Sequence, residues 1–326
     1  MRFYLTGLCN GILGISIVLA TSSCNDKGGY SDVAVKDQRT HFCNFTLNHS
    51  AEAVTTDTIN VRQVDTQRMV LFINGKIRFG SYAGNEIEKP LFEKEIKSFL
   101  LDQDPVSVSK FRAFVNATGY KTEAEVLGQS LVYTPYLGDF TLVKGASWEF
   151  PLGNNGGKAE DNHPVTHITY NDALSYAKWL GKRLPTEFEY EYAAKGGQNV
   201  ASRFPWGDEA SVLGHYKGNF SQAEAVTDST SKDNYFYTSP IGTFGSSAGF
   251  LNDAMGNVWE WTSSVLDSYP GATFSTRAGP SEHVLRGGSY LINPKKNNEF
   301  GLWTRLSLGD QISRGDVGFR CASTIK

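Results

Sequence analysis

Sulfur and imidazole are scarce in this chain, with four cysteines, three methionines and six histidines in 326 residues. So few cysteines exclude a scaffold stapled by several disulfides. Among the histidines only His163 and His167 stand at a spacing suited to a shared metal. Pro164 and the alternation after it read there as a strand entry rather than a metal-binding helix. Charge of one sign is missing too. With 31 Lys and Arg against 34 Asp and Glu, the chain has no net field for a polyanion, and nucleic acid is not an expected partner. Long helices are lacking in the C-terminal half, where short apolar runs after Gly197 are split by Gly, Asn, Asp and Ser.

What is present is core material: 40% of residues are hydrophobic and 13% aromatic, enough for one large or two small domains. Residues 1–23 stand apart. Arg2 is followed by apolar Gly11 to Ala20, too short to span a membrane, and small residues then lead to Cys24. This order resembles a bacterial lipoprotein signal, which implies a lipid on Cys24 and a place in the bacterial cell envelope, periplasmic or surface-exposed. Thr21 departs from the usual leucine, so plain cleavage and secretion is the alternative. Residues 24–66 are polar and turn-rich, a tether. Cys43 and Cys321 either pair or remain thiols.

The chain is organised around Gly249 to Thr262, where Asp253, Asn257, Glu260, Trp259 and Trp261 crowd about Gly256. Trp259 and Trp261 share one face of an extended segment, and Glu260 points to the other. A carboxylate between two tryptophans needs either a basic partner or a hard cation. Upstream, Met69 to Ser81 reads as strand, glycine turn and strand. Ser107 to Thr118 reads as a helix with Val108, Phe111, Phe114 and Val115 on one face; Asn171 to Leu180 and Glu187 to Ala194 are further helices. Glu187, Glu189 and Glu191 read as stabilising that last helix start and pairing locally with Arg183 and Lys182. Few helices on a loop-rich β-region make an α+β domain.

An ordered series of motifs then carries a resemblance: His163-Pro-Val-Thr-His167, Gly181-Lys-Arg-Leu-Pro-Thr-Glu187, Phe204-Pro-Trp-Gly207, Gly256-Asn-Val-Trp-Glu-Trp261, Leu285-Arg-Gly-Gly-Ser-Tyr290 and Gly318-Phe-Arg-Cys321. Together they resemble the formylglycine-generating enzyme (sulfatase-modifying factor) family over about residues 67–323. The resemblance implies a single compact domain with a C-type-lectin-like core and structural calcium. It also implies that two copper(I)-binding cysteines should stand at Ile292 and Asn297, and neither residue is a thiol. The partner position of Cys321 is Ala177.

Two calcium sites carry over by residue. One comprises Asp253, Glu260 and the carbonyls of Ala254, Gly256 and Val258; the other comprises Asn219, Asp233 and the carbonyls of Phe220 and Tyr235. Copper is not expected. A candidate groove falls around Ser289, Trp303 and Arg305, with Lys295 and Lys296 beside it. The expectation is a lipid-anchored envelope pseudoenzyme that binds a peptide, glycan or protein, or serves in assembly. The alternatives are a structural spacer and an oxidoreductase converting a sulfatase cysteine to formylglycine.

Overall fold

The computed structural model describes residues 68–222, 235–247, 250–274, 279 and 281–325. The leader 1–23, Cys24, the tether 24–66, Cys43 and Asp233 lie outside them. Each α-helix among the described residues begins at a side-chain hydroxyl. In α1 (Val108–Thr118), Ser107 accepts from the Lys110 N–H and Gly119, at φ 68°, closes the last turn in the left-handed region. Helices α2 (Glu123–Leu127), α3 (Tyr170–Trp179) and α4 (Glu187–Ala194) start in capping boxes formed by Thr122 with Glu125, Thr169 with Asp172 and Thr186 with Glu189. Such a cap contributes about 1 kcal/mol by satisfying N–H groups that the helix leaves unpaired. The three helices expected from sequence form within a residue of their anticipated ends. Helix α2 was not anticipated, although Thr122 and Glu125 carry its signature.

The strands run in chain order β1 (Met69–Phe72), β2 (Gly75–Phe79), β3 (Phe92–Ile96), β4 (Phe99–Asp102), β5 (Gln129–Thr134) and β6 (Asp139–Lys144). Two short pairs follow, β7 (Ser211–Val212) with β8 (His215–Tyr216) and β9 (Ser246–Ser247) with β10 (Leu251–Asn252). The last are β11 (Trp259–Val265), β12 (Glu282–Arg286), β13 (Leu306–Gly309), β14 (Val317–Gly318) and β15 (Ala322–Thr324). Strands β1 and β2 form as expected but do not pair with each other. β1 pairs with β4 and β2 with β3, and β15 takes the other edge of β4, so the two ends of the described chain share a sheet.

The sheet that positions the site has the order β13-β12-β11-β14, with β14 parallel to β11. One aromatic core gathers Phe72, Phe79, Phe99, Phe204 and Phe300. A second gathers Phe111, Trp148, Tyr176, Trp259, Trp261 and Phe319, and Ile292 packs against both. Few helices and many short strands make this an α+β domain, as the sequence implies.

Candidate functional site

The segment before β11 folds through three left-handed residues, Asp253 (φ 51°), Gly256 (φ 84°) and Asn257 (φ 65°). A Cβ on Gly256 would lie 2.6 Å from the Asn219 carbonyl oxygen, so only glycine fits that approach. The Asn257 side chain locks the turn: its Oδ1 accepts from the Ser239 N–H at 3.0 Å and its Nδ2 donates to the Ser239 carbonyl at 3.2 Å. Strand β11 then sends both tryptophans into the second core and Glu260 to Arg320. The Arg320 guanidinium donates to both Glu260 oxygens, each at 2.7 Å. Of the two partners that sequence left open for Glu260, the structure supplies the basic one. The Ala254 carbonyl accepts from the Tyr190 hydroxyl at 3.1 Å.

Among the described residues, one carboxylate oxygen and one amide oxygen in this region are buried without a hydrogen-bond partner. Asp253 accepts from the Gly242 N–H through Oδ2 at 2.7 Å, while its Oδ1 has no hydrogen-bond partner among the described residues. Burial pushes the Asp253 carboxyl up to about 7. Asn219 donates through Nδ2 to the Tyr237 carbonyl at 2.8 Å, and its Oδ1 is likewise buried without a partner among the described residues. A buried acceptor left unmet costs about 1–3 kcal/mol, and a hard cation held by oxygens would meet it. These two side chains head the two expected calcium sites, so the donor chemistry there fits the ion. Among the described residues no three of His, Cys, Asp and Glu cluster as a metal site. An ion would therefore depend on amide and carbonyl oxygens, and Glu260 is already held by Arg320.

The positions matched to copper ligands are otherwise engaged. Ile292 contributes its side chain to packing, and its carbonyl accepts from the Ser221 N–H at 2.9 Å. Asn297 Oδ1 accepts from the N–H groups of Glu299 and Phe300, both at 3.1 Å. His163 and His167 do not converge either. The His163 ring bonds to Thr238 Oγ1 and the His167 ring to Ser130 Oγ, each through Nδ1 at 2.8 Å.

The groove residues part company. Ser289 is enclosed and donates to Asp316 Oδ2 at 3.0 Å, and Asp316 is in turn forked by Arg314. Arg305 is enclosed and ion-paired to Glu187 at 2.8 Å, with the Tyr269 ring 4.2 Å from its guanidinium carbon. Trp303 lines a cavity of about 300 Å³.

Beneath that cavity lies a buried ionic cluster. Glu191 accepts from Arg286 and from Lys195, Glu187 pairs with Arg305, and Glu88 accepts from the Arg305 N–H at 3.0 Å. Of Arg183 and Lys182, the local partners expected on α4, Arg183 forks Glu189 at 2.7 and 2.8 Å, and Lys195 adds a local pair to Glu191 four residues on. Glu187 and Glu191 face inward to distant arginines instead, and Lys182 pairs with Asp102. Glu88, Arg286 and Arg320 were not singled out from sequence. The two arginines stand inside the Leu285-Arg286-Gly287 and Phe319-Arg320-Cys321 motifs, where a buried cation was the missing counterpart of the buried glutamates.

The chain is an α+β domain in which a glycine-pivoted turn leads into a buried Trp-Glu-Trp strand. Residues 55–325 match the family described as the sulfatase-modifying factor enzyme 1-like domain, and the chain belongs to that family. It is 34% identical over 286 residues to the formylglycine-generating enzyme of Streptomyces coelicolor, covering 80% of this chain and 91% of that protein. It is 33% identical over 281 residues to the inactive C-alpha-formylglycine-generating enzyme 2 of Bos taurus, covering 79% and 88%. Among solved structures, PvdO from Pseudomonas aeruginosa superposes with a TM-score of 0.59 at 22% identity, covering 79% of this chain and 95% of that one.

Proposed function

We propose that this chain is a binding or assembly member of the sulfatase-modifying factor family that does not carry out copper–thiol oxidation. The observation behind this reading is the pair Ile292 and Asn297. Soft thiolates hold copper(I), whereas a branched alkyl group and an amide do not. Asn297 already spends its side-chain oxygen on two backbone N–H groups, and Ile292 spends its side chain on the core. Relatives of both kinds, a formylglycine-generating enzyme and one named inactive, match over similar lengths, so the chemistry must be argued from the site.

In this reading a lipid on Cys24 anchors the domain at the bacterial envelope, where it meets a peptide, glycan or protein partner. Calcium would be held by Asp253 with the Gly256 and Val258 carbonyls, and by Asn219 with the Phe220 and Tyr235 carbonyls and Asp233. The ion would fix loops that have little secondary structure. The competing reading, oxidation of a sulfatase cysteine to formylglycine, requires the native chain to hold copper(I). A copper(I) titration against a chromogenic chelator tests the difference. The native chain is expected to yield all its copper, and the Ile292→Cys/Asn297→Cys variant to retain about one equivalent. Stoichiometric copper(I) on the native chain, undiminished in Cys321→Ser, would overturn the proposal.

A further inference from the structure

The cavity of about 300 Å³ that Trp303 reaches lies between β2, the turn at Gly80–Ala83 and the stretch after α4. We infer that it binds an amphipathic anion, a flat apolar body carrying a carboxylate or a phosphate. This rests on the binding reading above and gives it a ligand class. The volume lies at the small end of ligand pockets, which are mostly apolar with a few placed polar groups.

The apolar part is aromatic. Tyr82 stands 71% exposed at the cavity and Trp303 only 7% exposed. Trp303 donates its Nε1–H to the Glu299 carbonyl at 2.8 Å, so its ring offers the cavity carbon surface. Leu91 and Val200 complete that lining. Gly84 explains how the loop comes so close, because a Cβ there would lie 2.7 Å from Trp303 Cδ1 and 2.1 Å from Glu88 Oε2.

The polar part consists of donors. Arg78 is pinned by its backbone, its N–H donating to Asn199 Oδ1 at 2.7 Å and its carbonyl accepting from Lys195 Nζ at 2.9 Å. Its guanidinium makes no hydrogen bond or ion pair among the described residues, and Glu93, its neighbour across the ladder, is paired with Lys76 at 2.7 Å. The same bond from Arg78 fixes the Asn199 amide so that Nδ2 is left to donate. Lys195 is neutralised from below by Glu191, and among the described residues no carboxylate lines the cavity. Aromatic surface beside a guanidinium and an amide N–H suits a ring bearing an oxyanion.

Isothermal titration of the full-length chain with naphthalene-2-carboxylate, 2-naphthyl phosphate and naphthalene-2-carboxamide tests the inference. At least one anion is expected to bind about tenfold or more tighter than the neutral amide, the size of one charge-assisted contact. Whichever anion binds better tells a carboxylate ligand from a phosphate one. Arg78→Gln, a change on an exposed side chain, should bring the anion and amide within about threefold of each other. Tyr82→Ala should weaken every probe that binds. Equal binding of anion and amide, a preference that survives Arg78→Gln, or no binding of any probe at millimolar concentration would overturn the inference. The copper titration is read separately, so a blank here with copper still refused sinks the pocket alone, and copper retained by the native chain sinks the non-redox reading.

Discussion

Arg320 and Glu260 meet two donors to two oxygens, both at 2.7 Å, with neither side chain exposed. The same guanidinium also donates to the carbonyls of Asp102, Gln103 and Asn252. One cation therefore joins the end of β4, the end of β10 just before the Asp253 turn and the start of β11. A buried pair of this kind adds little over a well-packed apolar pair, but breaking it strands a charge.

Glu260→Ala or Arg320→Ala should accordingly lower the unfolding free energy by about 3–5 kcal/mol in urea titrations. The double change Glu260→Met/Arg320→Met should lose less than the sum of the single changes. A single change costing under about 1 kcal/mol would show that the pair is not a structural tie.

Asp253 makes the stability of the fold depend on pH. Its folded value of about 7 lies above the unfolded carboxylate value near 3.9, so the folded chain holds the proton more tightly. Without a cation, stability should then fall as pH rises from about 4 through 7. Glu88, pushed up to about 6 by burial, adds a slope of the same sign, so Asp253→Asn should reduce the fall without abolishing it. Calcium prefers the ionised carboxylate, so its gain in melting temperature should be larger at pH 8 than at pH 5.5. At a hundredfold excess over Kd the gain is worth about 2.7 kcal/mol. Protein purified without chelator that contains no calcium, and whose melting calcium leaves unmoved at pH 8, would contradict both proposed sites.

His167 should act in the opposite sense. Burial holds its imidazole down to about 4, against about 6.5 when unfolded, so the fold keeps it neutral. Its contribution is present above pH 6.5 and is lost as pH falls toward 4, on the order of 3 kcal/mol in all. His167 also sits at φ 59°, a region that asparagine tolerates. His167→Asn should therefore flatten the acid limb of stability between pH 6.5 and 4 while leaving the fold intact. An acid limb as steep as in the native chain would remove this role.

Local signals were the legible part of this fold. The hydroxyl caps at Ser107, Thr169 and Thr186, and the glycine stop at Gly119, belong to residues a few positions apart. Ser107, Thr186 and Gly119 marked ends of the first and last expected helices, whereas Asn171 to Leu180 followed from its apolar spacing, one residue past the Thr169 cap's own start. The pairing of β1 with β4 and β15 joins segments far apart in the chain, and nothing in Met69 to Ser81 records it. The site divided in the same way. That Glu260 needed a counter-charge followed from its two tryptophan neighbours, but that Arg320 supplies it depends on the parallel pairing of β14 with β11. From sequence, Glu187 and Glu191 read as stabilising the helix start and pairing locally with Arg183 and Lys182. They are enclosed because α4 packs on β11 and β12, which brings Arg286 to Glu191, while Arg305, on the approach to β13, meets Glu187.

The central claim is that no copper–thiol oxidation occurs at Ile292 and Asn297. Its most direct test is mass spectrometry of a sulfatase-motif cysteine peptide incubated with the purified chain, copper(I), oxygen and a thiol reductant, beside an active formylglycine-generating enzyme as control. The peptide mass is expected to stay unchanged with this chain while the control converts it. Replacement of the cysteine thiol by an aldehyde in the presence of this chain would contradict it.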